Sequence, residues 1–204
     1  MNHPQTITLA FTGASGMPYG IRLLETLLQQ GQQVYLLYSK VAQVVAQQEM
    51  NLALPSSAKE AEAFFNRRYQ APDGQLRVFG REEWFAPVAS GSNPADAMVI
   101  CPCTMGTLAA VAAGMSQNLI ERAADVMLKE NRPLIIVPRE MPFSVIHLEN
   151  MLKLARSGAV ILPANPGFYH HPQTVQDLVD FVVARILDHL GVKHNLIARW
   201  GEES

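Results

Sequence analysis

Short apolar segments alternate along this chain with longer segments in which apolar residues recur at helical spacing. Short aliphatic runs bounded by turns are typical of strands that are buried on both faces. Their alternation with helices is typical of a parallel sheet. The pattern predicts an α/β fold, with a doubly wound, mainly parallel sheet and helices on both faces. Strands are predicted at residues 7–11, 33–38, 97–101, 134–137 and 159–162.

Signals for helix ends support this division of the chain. Gly31 and Gly158 each follow a predicted helix, where glycine readily adopts the left-handed conformation that ends helices. A long final helix with a broad apolar face is predicted at residues 174–190. Residues 51–94 interrupt the alternation, and we expect them to form an insertion over the carboxyl edge of the sheet. Because the sequence contains no repeat or linker, residues 1–204 are predicted to form one domain.

The composition narrows the class of protein. Hydrophobic residues make up 49% of the chain, charged residues make up 17%, and the net charge is −2. These values are typical of a globular protein and lack the basic excess of a nucleic-acid binder. No apolar run approaches the roughly 18 residues of a membrane span, and no signal-peptide pattern is present, so a cytoplasmic location is expected. Cys101 and Cys103 are too close in sequence for an unstrained disulfide, and a zinc site would need further ligands.

The loop after the first predicted strand carries a candidate binding motif, Gly13-Ala14-Ser15-Gly16. Glycines permit close approach of the backbone, and free N–H groups at a helix start attract anions, so the loop is predicted to hold the phosphate of a mononucleotide. A tight glycine turn without a ligand is the alternative. The spacing departs from G-x-G-x-x-G, and Ser39 follows the second strand where a dinucleotide-binding fold has an acid. Both observations argue against NAD.

Further candidates follow the third strand and the next helix. Thr104 and Thr107 begin a helix that faces the same crevice, and they could either contact a phosphorylated ligand or serve as ordinary N-caps. Arg122 and Lys129 lie seven residues apart on a predicted helix and therefore project from nearly the same face. They could bind a phosphate, or they could belong to a solvated helix face.

The fourth and last strands end in polar loops as well. Arg139 and Glu140 follow the fourth strand, where they could either serve a ligand or form a surface ion pair. Tyr169 follows the last strand and presents a phenol. The adjacent pair His170 and His171 is poorly placed for joint metal binding, and carboxylate-rich magnesium motifs are missing. We therefore expect any phosphate chemistry to proceed without a metal, with arginine and lysine neutralising the charge.

Four motifs follow one another along the chain. They are Gly13-Ala14-Ser15-Gly16, Pro102-Cys103-Thr104-Met105-Gly106-Thr107, Pro138-Arg139-Glu140 and Asn165-Pro166-Gly167-Phe168-Tyr169. Together they resemble the UbiX-like flavin prenyltransferases, formerly described as aromatic acid decarboxylases, which have a Rossmann-like flavoprotein fold. Thr104 stands where many members have serine, and it keeps the hydroxyl. The resemblance implies a homododecamer that joins a dimethylallyl group from dimethylallyl monophosphate to N5 and C6 of reduced flavin mononucleotide (FMN). Its product, prenylated FMN, would serve a UbiD-type decarboxylase in ubiquinone biosynthesis.

The resemblance also implies roles for individual residues. The residues expected to bind FMN are Gly13, Ala14, Ser15, Ser39, Thr104, Met105, Gly106, Thr107 and Arg139. Those expected to hold the donor phosphate are Ser90, Arg122, Lys129, Tyr169 and Arg185. Trp200, or else Trp84, could face the developing allyl cation, because aromatic rings attract cations. Glu140 is the expected acid/base group, with Ser15 and Glu49 as further catalytic candidates.

Two other functions are compatible with such a fold. One is an FMN-dependent cysteine decarboxylase of the phosphopantothenoylcysteine type, but the third loop lacks the asparagine of those enzymes, and no histidine lies between His3 and His147. The other is a flavodoxin-like electron carrier without chemistry of its own, which would leave Arg122, Lys129 and Arg139 without a task.

Overall fold

The computed structural model describes residues 5–198 and contains one six-stranded parallel sheet. The order of the strands across the sheet is β3-β2-β1-β4-β5-β6. The strands are β1 (Thr6–Phe11), β2 (Gln33–Tyr38), β3 (Leu76–Val78), β4 (Ala97–Cys103), β5 (Leu134–Pro138) and β6 (Val160–Ile161). All five predicted strands are present, although the last is shorter than expected.

In the described part of the chain, seven α-helices cover the two faces of this sheet, so the doubly wound α/β prediction is confirmed. Buried side chains of α1, α2, α3 and α7 form the core on one face, and those of α4, α5 and α6 form it on the other. The helices are α1 (Met17–Gln29), α2 (Lys40–Met50), α3 (Ala58–Tyr69), α4 (Met105–Ala112), α5 (Leu119–Lys129), α6 (Val145–Arg156) and α7 (Val175–Leu190).

The segment at residues 51–94 was only partly predicted. It contains α3 and the edge strand β3, which pairs with β2 in parallel, so this part extends the sheet and does not cover its edge. The strand has three residues, and Arg77 at its centre is exposed, so its sequence pattern is too short to be recognised. The loop that follows does reach the carboxyl edge, because the Leu119 N–H donates to the Arg81 carbonyl at 2.8 Å.

The order of the strands creates a crevice at a defined place. The chain runs outward from β1 through β2 to β3 and then returns to β4 on the other side of β1. The loops after β1 and β4 therefore leave the sheet in opposite directions, which opens a crevice at the carboxyl ends of these strands. Ligands of open α/β sheets bind at this position.

Helix ends follow the predicted chemistry. The Thr174 side chain caps α7, and Gly31 and Gly158 adopt left-handed backbone angles after α1 and α6. After α7, the described part of the tail packs on the core through Val192 and Leu196. Trp200 lies outside the described residues.

Close packing of α1 against the sheet depends on Gly20. A Cβ atom at this position would lie 2.5 Å from the Cys101 carbonyl oxygen and 2.8 Å from the Phe11 ring. A glycine inside a helix ordinarily costs stability relative to alanine. Here the missing Cβ lets the helix approach backbone that cannot move aside.

We predict that Gly20→Ala lowers the free energy of unfolding by about 1–3 kcal/mol, because the new methyl group overpacks the contact between α1 and β4. The measurement is thermal unfolding followed by circular dichroism. Gly80→Ala is the control, because a Cβ atom there would make only ordinary contacts at 3.7 Å or more. A Gly20→Ala protein as stable as the parent would contradict this account of the packing.

Candidate functional site

A cavity of about 290 Å³ lies at the carboxyl ends of the strands, close to the lower limit for small-molecule sites. It contains five of the residues predicted to bind FMN, namely Gly13, Ser39, Thr104, Gly106 and Thr107. The loops after β1, β2 and β4 thus meet at one site, as predicted. The sequence did not point to the remaining lining residues, which are Thr12, Lys40, Val41, Arg81, Asn118, Ile120 and Glu121.

Thr12 joins two of these loops and was missed. Its hydroxyl donates to the Pro102 carbonyl at 2.8 Å and accepts from the Thr104 N–H at 2.8 Å. The Thr12 N–H also donates to the Pro102 carbonyl, at 3.2 Å. Because Thr12 is almost fully buried, these hydrogen bonds are shielded from water and fix the two loops against each other. A lone buried threonine at a strand end carries no sequence signal of such a role.

Gly13 is required for a close approach between the first loop and α2. A Cβ atom on Gly13 would overlap the Cγ1 and Cβ atoms of Val41. Without that atom, the first loop and the start of α2 can line the same cavity. The close approach of these two main-chain segments fits a ligand that is bound by main-chain atoms, as a flavin nucleotide is.

The hydroxyl groups at the two other loops act as helix caps. Ser39 Oγ accepts from the Ala42 N–H at 3.1 Å, and Thr104 Oγ1 accepts from the Thr107 N–H at 3.1 Å. Thr104 Oγ1 also donates to Thr107 Oγ1 at 3.0 Å. The capping alternative considered for Thr104 is therefore realised, and the same side chain also lines the cavity.

The N-terminus of α1 holds a carboxylate of the chain itself. Glu49 accepts from the Gly16 N–H with both oxygens, at 3.1 and 3.0 Å, and from the Met17 N–H at 2.8 Å. A phosphate at this helix start would have to displace Glu49 from these donors, and phosphate binding by this loop stays a prediction. A helix N-terminus favours negative charge, and Glu49 on α2 supplies it. Burial, and to a smaller extent Cys101 and Glu49, raise the pKa of the nearby Tyr19 phenol.

Arg139 connects the loop after β5 to the loop after β1. Its Nε donates to the Ser15 carbonyl at 3.3 Å, and its N–H donates to the Cys103 carbonyl at 3.3 Å. Arg139 and Glu140 are both exposed, and the surface ion pair considered for them is not formed within residues 5–198. Among the residues that the structure describes, Glu140 accepts a hydrogen bond only from the adjacent Met141 N–H, at 3.2 Å. Ala14, Ser15 and Met105, predicted for the flavin, do not line the cavity itself.

Ser90, Arg122 and Lys129 form a second group beside α5. Arg122 Nε donates to the Ala89 carbonyl at 2.9 Å, and its Nη1 is paired with Asp125 at 2.8 Å. Lys129 is paired with Glu130 and lies so close to the Ser90 loop that a Cβ on Gly91 would be 2.6 Å from Lys129 Nζ. These three residues are neighbours, as predicted, but they do not line the 290 Å³ cavity.

Tyr169 and Arg185 line another cavity, of about 380 Å³, formed by the loop after β6, α7 and the tail. Phe181 and His194 contribute to its wall, and Arg185 Nη1 is paired with Asp188 at 2.7 Å. The two predicted phosphate ligands Tyr169 and Arg185 are thus brought together, but away from Arg122 and Lys129. Trp84 is 45% exposed and lines neither cavity.

The structure also bears on cysteine reactivity, metal binding and membrane insertion. Burial raises the pKa of the Cys101 and Cys103 thiols far above the ordinary value, so neither is a thiolate nucleophile. Within residues 5–198, no cluster of three or more His, Cys, Asp or Glu side chains could hold a metal ion. In the same range, no helix has the length and apolar character needed to cross a bilayer.

Comparison with known proteins identifies close relatives. The family profile described as Flavoprotein matches residues 1–187. The curated flavin prenyltransferase UbiX of Pseudomonas aeruginosa is 60% identical over 203 residues, which cover 100% of this chain and 97% of that protein.

Solved structures agree with this similarity. The structure of AnUbiX (PadA1) in complex with FMN and dimethylallyl pyrophosphate has a TM-score of 0.86 and 38% identity, covering 98% of this chain and 100% of the other. A dodecameric FMN-dependent UbiX-like decarboxylase from Escherichia coli O157:H7 has a TM-score of 0.84 and 41% identity, covering 97% and 100%. A mutant PPC decarboxylase reaches only 17% identity at a TM-score of 0.54, with coverage of 81% and 84%, so it shares the fold alone.

We predict that Glu49→Ala lowers the free energy of unfolding by about 1 kcal/mol, because the N–H groups of Gly16 and Met17 lose their charged acceptor. Thermal unfolding at low and high salt measures the effect, which should shrink as salt screens the charge. Gln48→Ala is the control on the same helix, since Gln48 is exposed. Equal stability of the two variants at low salt would contradict the capping role.

Proposed function

Since this chain belongs to the family of UbiX-like flavin prenyltransferases, we propose that it joins a dimethylallyl group from dimethylallyl monophosphate to reduced FMN. The observation that carries this proposal is the cavity where the loops after β1, β2 and β4 meet, in a chain 60% identical over its full length to a flavin prenyltransferase. Residues 1–204 would act as one FMN-binding domain in the cytoplasm.

The charges around the cavity suggest how FMN is oriented. Lys40 and Arg81 are cationic side chains that line it, and the start of α1 already binds the Glu49 carboxylate. Glu121 is the carboxylate in the lining, but the Gln117 N–H at 2.8 Å and Asn118 Nδ2 at 2.6 Å already bind its oxygens. We therefore place the phosphate of FMN beside Lys40 and Arg81, and the flavin ring towards the Gly13–Ser15 loop and Arg139.

We predict that Arg81→Ala and Lys40→Ala each weaken FMN binding about tenfold, because a charged hydrogen bond to phosphate is lost. Neither variant should weaken binding of riboflavin, which lacks the phosphate. Fluorescence titration with both flavins measures the difference, and Arg67→Ala, an exposed arginine on α3, is the control. Equal losses for FMN and riboflavin would contradict this orientation of FMN.

The donor site would be completed by a neighbouring subunit. Ser90, Arg122 and Lys129 lie on one side of the chain, while Tyr169 and Arg185 line the other cavity. In an assembly such as the dodecamer of the E. coli relative, one subunit can bring Tyr169 and Arg185 to the α5 side of another. These five residues would then surround one phosphate. We propose a dodecamer for this chain on the same ground.

The chemistry follows from these groups. Reduced FMN supplies nucleophilic positions at N5 and C6. When the allylic C–O bond breaks, the departing phosphate gains negative charge, which Arg122, Lys129 and Arg185 stabilise. The allyl cation first forms a bond to N5, which releases its proton, and an aromatic face such as that of Trp200 or Trp84 would stabilise the cation before capture. Return of that proton to the remaining C=C bond would give a second carbon cation, which C6 attacks. Ring closure releases the proton on C6, and Glu140, beside Arg139 in the loop after β5, is the group that we propose to accept it.

The two remaining catalytic candidates receive different roles. Arg139 Nε donates to the Ser15 carbonyl and so fixes the loop that carries the Ser15 hydroxyl. Glu49 is committed to the N–H groups of Gly16 and Met17, so we propose that it orients this loop and does not carry a proton itself. The product, prenylated FMN, would pass to a UbiD-type decarboxylase in ubiquinone biosynthesis.

The decisive experiment is anaerobic incubation of the protein with reduced FMN and dimethylallyl monophosphate, followed by mass analysis of the flavin. We expect a gain of one C5 unit and release of inorganic phosphate. Unchanged flavin under verified reducing conditions would refute the transferase proposal. Stable cycling of a tightly bound flavin by single electrons in a redox titration would favour the electron carrier instead.

In the same experiment, Glu140→Gln should slow the alkylation about 100-fold or more, because the proton acceptor is lost. Affinity for FMN should stay unchanged. Glu149→Gln, an exposed glutamate on α6, is the matched control. Undiminished turnover of the Glu140→Gln protein would remove Glu140 from this role while leaving the transferase activity intact.

A further inference from the structure

The loop that carries Tyr169 is a tight turn with two aromatic side chains at its centre. The His171 N–H donates to the Phe168 carbonyl at 3.0 Å, and His171 has a left-handed backbone angle, with φ of 54°. Tyr169 and His170 are therefore the two middle residues of one turn. Tyr169 lines the 380 Å³ cavity with Arg185, whereas His170 does not.

The His170 ring packs in a cluster with two other rings. It stacks on Phe181 of α7 with 5.0 Å between ring centroids and 18° between the planes. Its centroid lies 5.8 Å from that of Tyr169 in an edge-to-face arrangement, and Tyr169 meets Phe181 at 5.6 Å in the same way. Gly167 makes room for this cluster, because a Cβ atom there would lie 3.0 Å from Phe181 and 3.1 Å from Tyr169.

His170 is unusual in its hydrogen bonding. Both of its ring nitrogens are buried, and neither has a hydrogen-bond partner within residues 5–198. Burying a polar atom without a partner costs stability, and native proteins tolerate it mainly where the residue has another task. The His170 ring contacts those of Tyr169 and Phe181. Hydrogen bonds from Gln173 and Thr174 lower the pKa of the Asp177 carboxyl, and the nearby His170 imidazole lowers it further.

From this arrangement we propose that His170 is a positioning residue, whose ring holds Tyr169 at the donor-phosphate cavity. The inference rests on the proposed function, in which Tyr169 and Arg185 bind the phosphate of dimethylallyl monophosphate. His170 touches no substrate itself. It limits the side-chain freedom of Tyr169, so less conformational entropy is lost when the phenol binds the phosphate.

A double-mutant cycle tests this coupling. The measurement is the dissociation constant of dimethylallyl monophosphate for the protein loaded with oxidised FMN, obtained by isothermal titration calorimetry. His170→Ala should raise this constant about three- to tenfold in the parent, which is the range expected for the loss of aromatic contacts. In a Tyr169→Ala background, the same substitution should have no further effect. Affinity for FMN should not change in either protein.

Three further variants make the result specific. His170→Phe keeps a flat ring and should bind the donor as the parent does, whereas His170→Asn keeps polar atoms without a stacking ring and should behave as His170→Ala does. His171→Asn is the control, since His171 is exposed and asparagine tolerates the left-handed conformation. Rescue by asparagine and not by phenylalanine would overturn the proposal, because the nitrogens would then be the active feature.

The outcomes also separate this inference from the proposed function. If Tyr169→Ala itself leaves donor binding unchanged, the donor site at Tyr169 is wrong, and the role of His170 is refuted with it. If Tyr169→Ala weakens binding but His170→Ala has the same effect in both backgrounds, only the positioning role is refuted. If His170→Ala weakens donor binding in the parent but not in the Tyr169→Ala background, the result supports both the donor site at Tyr169 and the positioning role of His170.

Discussion

The site depends on close contact between main-chain segments at the carboxyl ends of β1 and β4. The buried Thr12 hydroxyl bridges the Pro102 carbonyl and the Thr104 N–H, so the two loops that leave the sheet in opposite directions are joined at their roots. Gly13 and Gly20 allow α2 and α1 to approach this junction where any Cβ atom would collide with its neighbours. The cavity thus lies where main-chain segments come close together, and side chains such as Ser39 and Thr107 line it. Closely packed main chain and hydroxyl groups suit the ring of a flavin nucleotide, and the cations Lys40 and Arg81 suit its phosphate.

The first glycine loop illustrates why a motif alone does not identify its ligand. A glycine-rich turn before a helix predicts an anion at the helix start, and an anion is indeed present, but it is the carboxylate of Glu49. The physical rule held, since the helix dipole and the free N–H groups do attract negative charge. The contact with Glu49 could not be predicted, because Glu49 lies 33 residues from Gly16 in sequence and nothing in the loop indicates its approach.

Most of the fold was predictable because its signals are local. The strands and the final helix show in the periodicity of apolar residues, and the ends of helices show in residues such as Thr174 and Gly31. The short edge strand β3 was missed because three residues with an exposed Arg77 carry too little pattern. The loops after β1, β2 and β4 meet at one cavity because the topology of the parallel sheet brings them together, whereas Arg139 and Tyr169 in the later loops do not line it. Thr12 and Arg81 were not predicted as site residues, because their contribution comes from contacts between distant segments that have no signature in the sequence.

The distribution of charge and of exposed apolar residues points to a site that one chain leaves incomplete. Arg122 and Lys129 are held beside α5 by carboxylates of their own helix or its end, while Arg185 is held by Asp188 at the other cavity. Each of these cations is thus oriented by a neighbouring carboxylate. Large apolar side chains stand exposed next to the functional residues, with Met141 at 86% beside Glu140, Phe168 at 69% beside Tyr169, and Phe85 fully exposed beside Trp84. Such exposure is unfavourable in water and is ordinarily covered by another protein surface. Covering these side chains with a second copy would also remove water from Glu140 and the cations, where a low dielectric strengthens their effect on a departing phosphate.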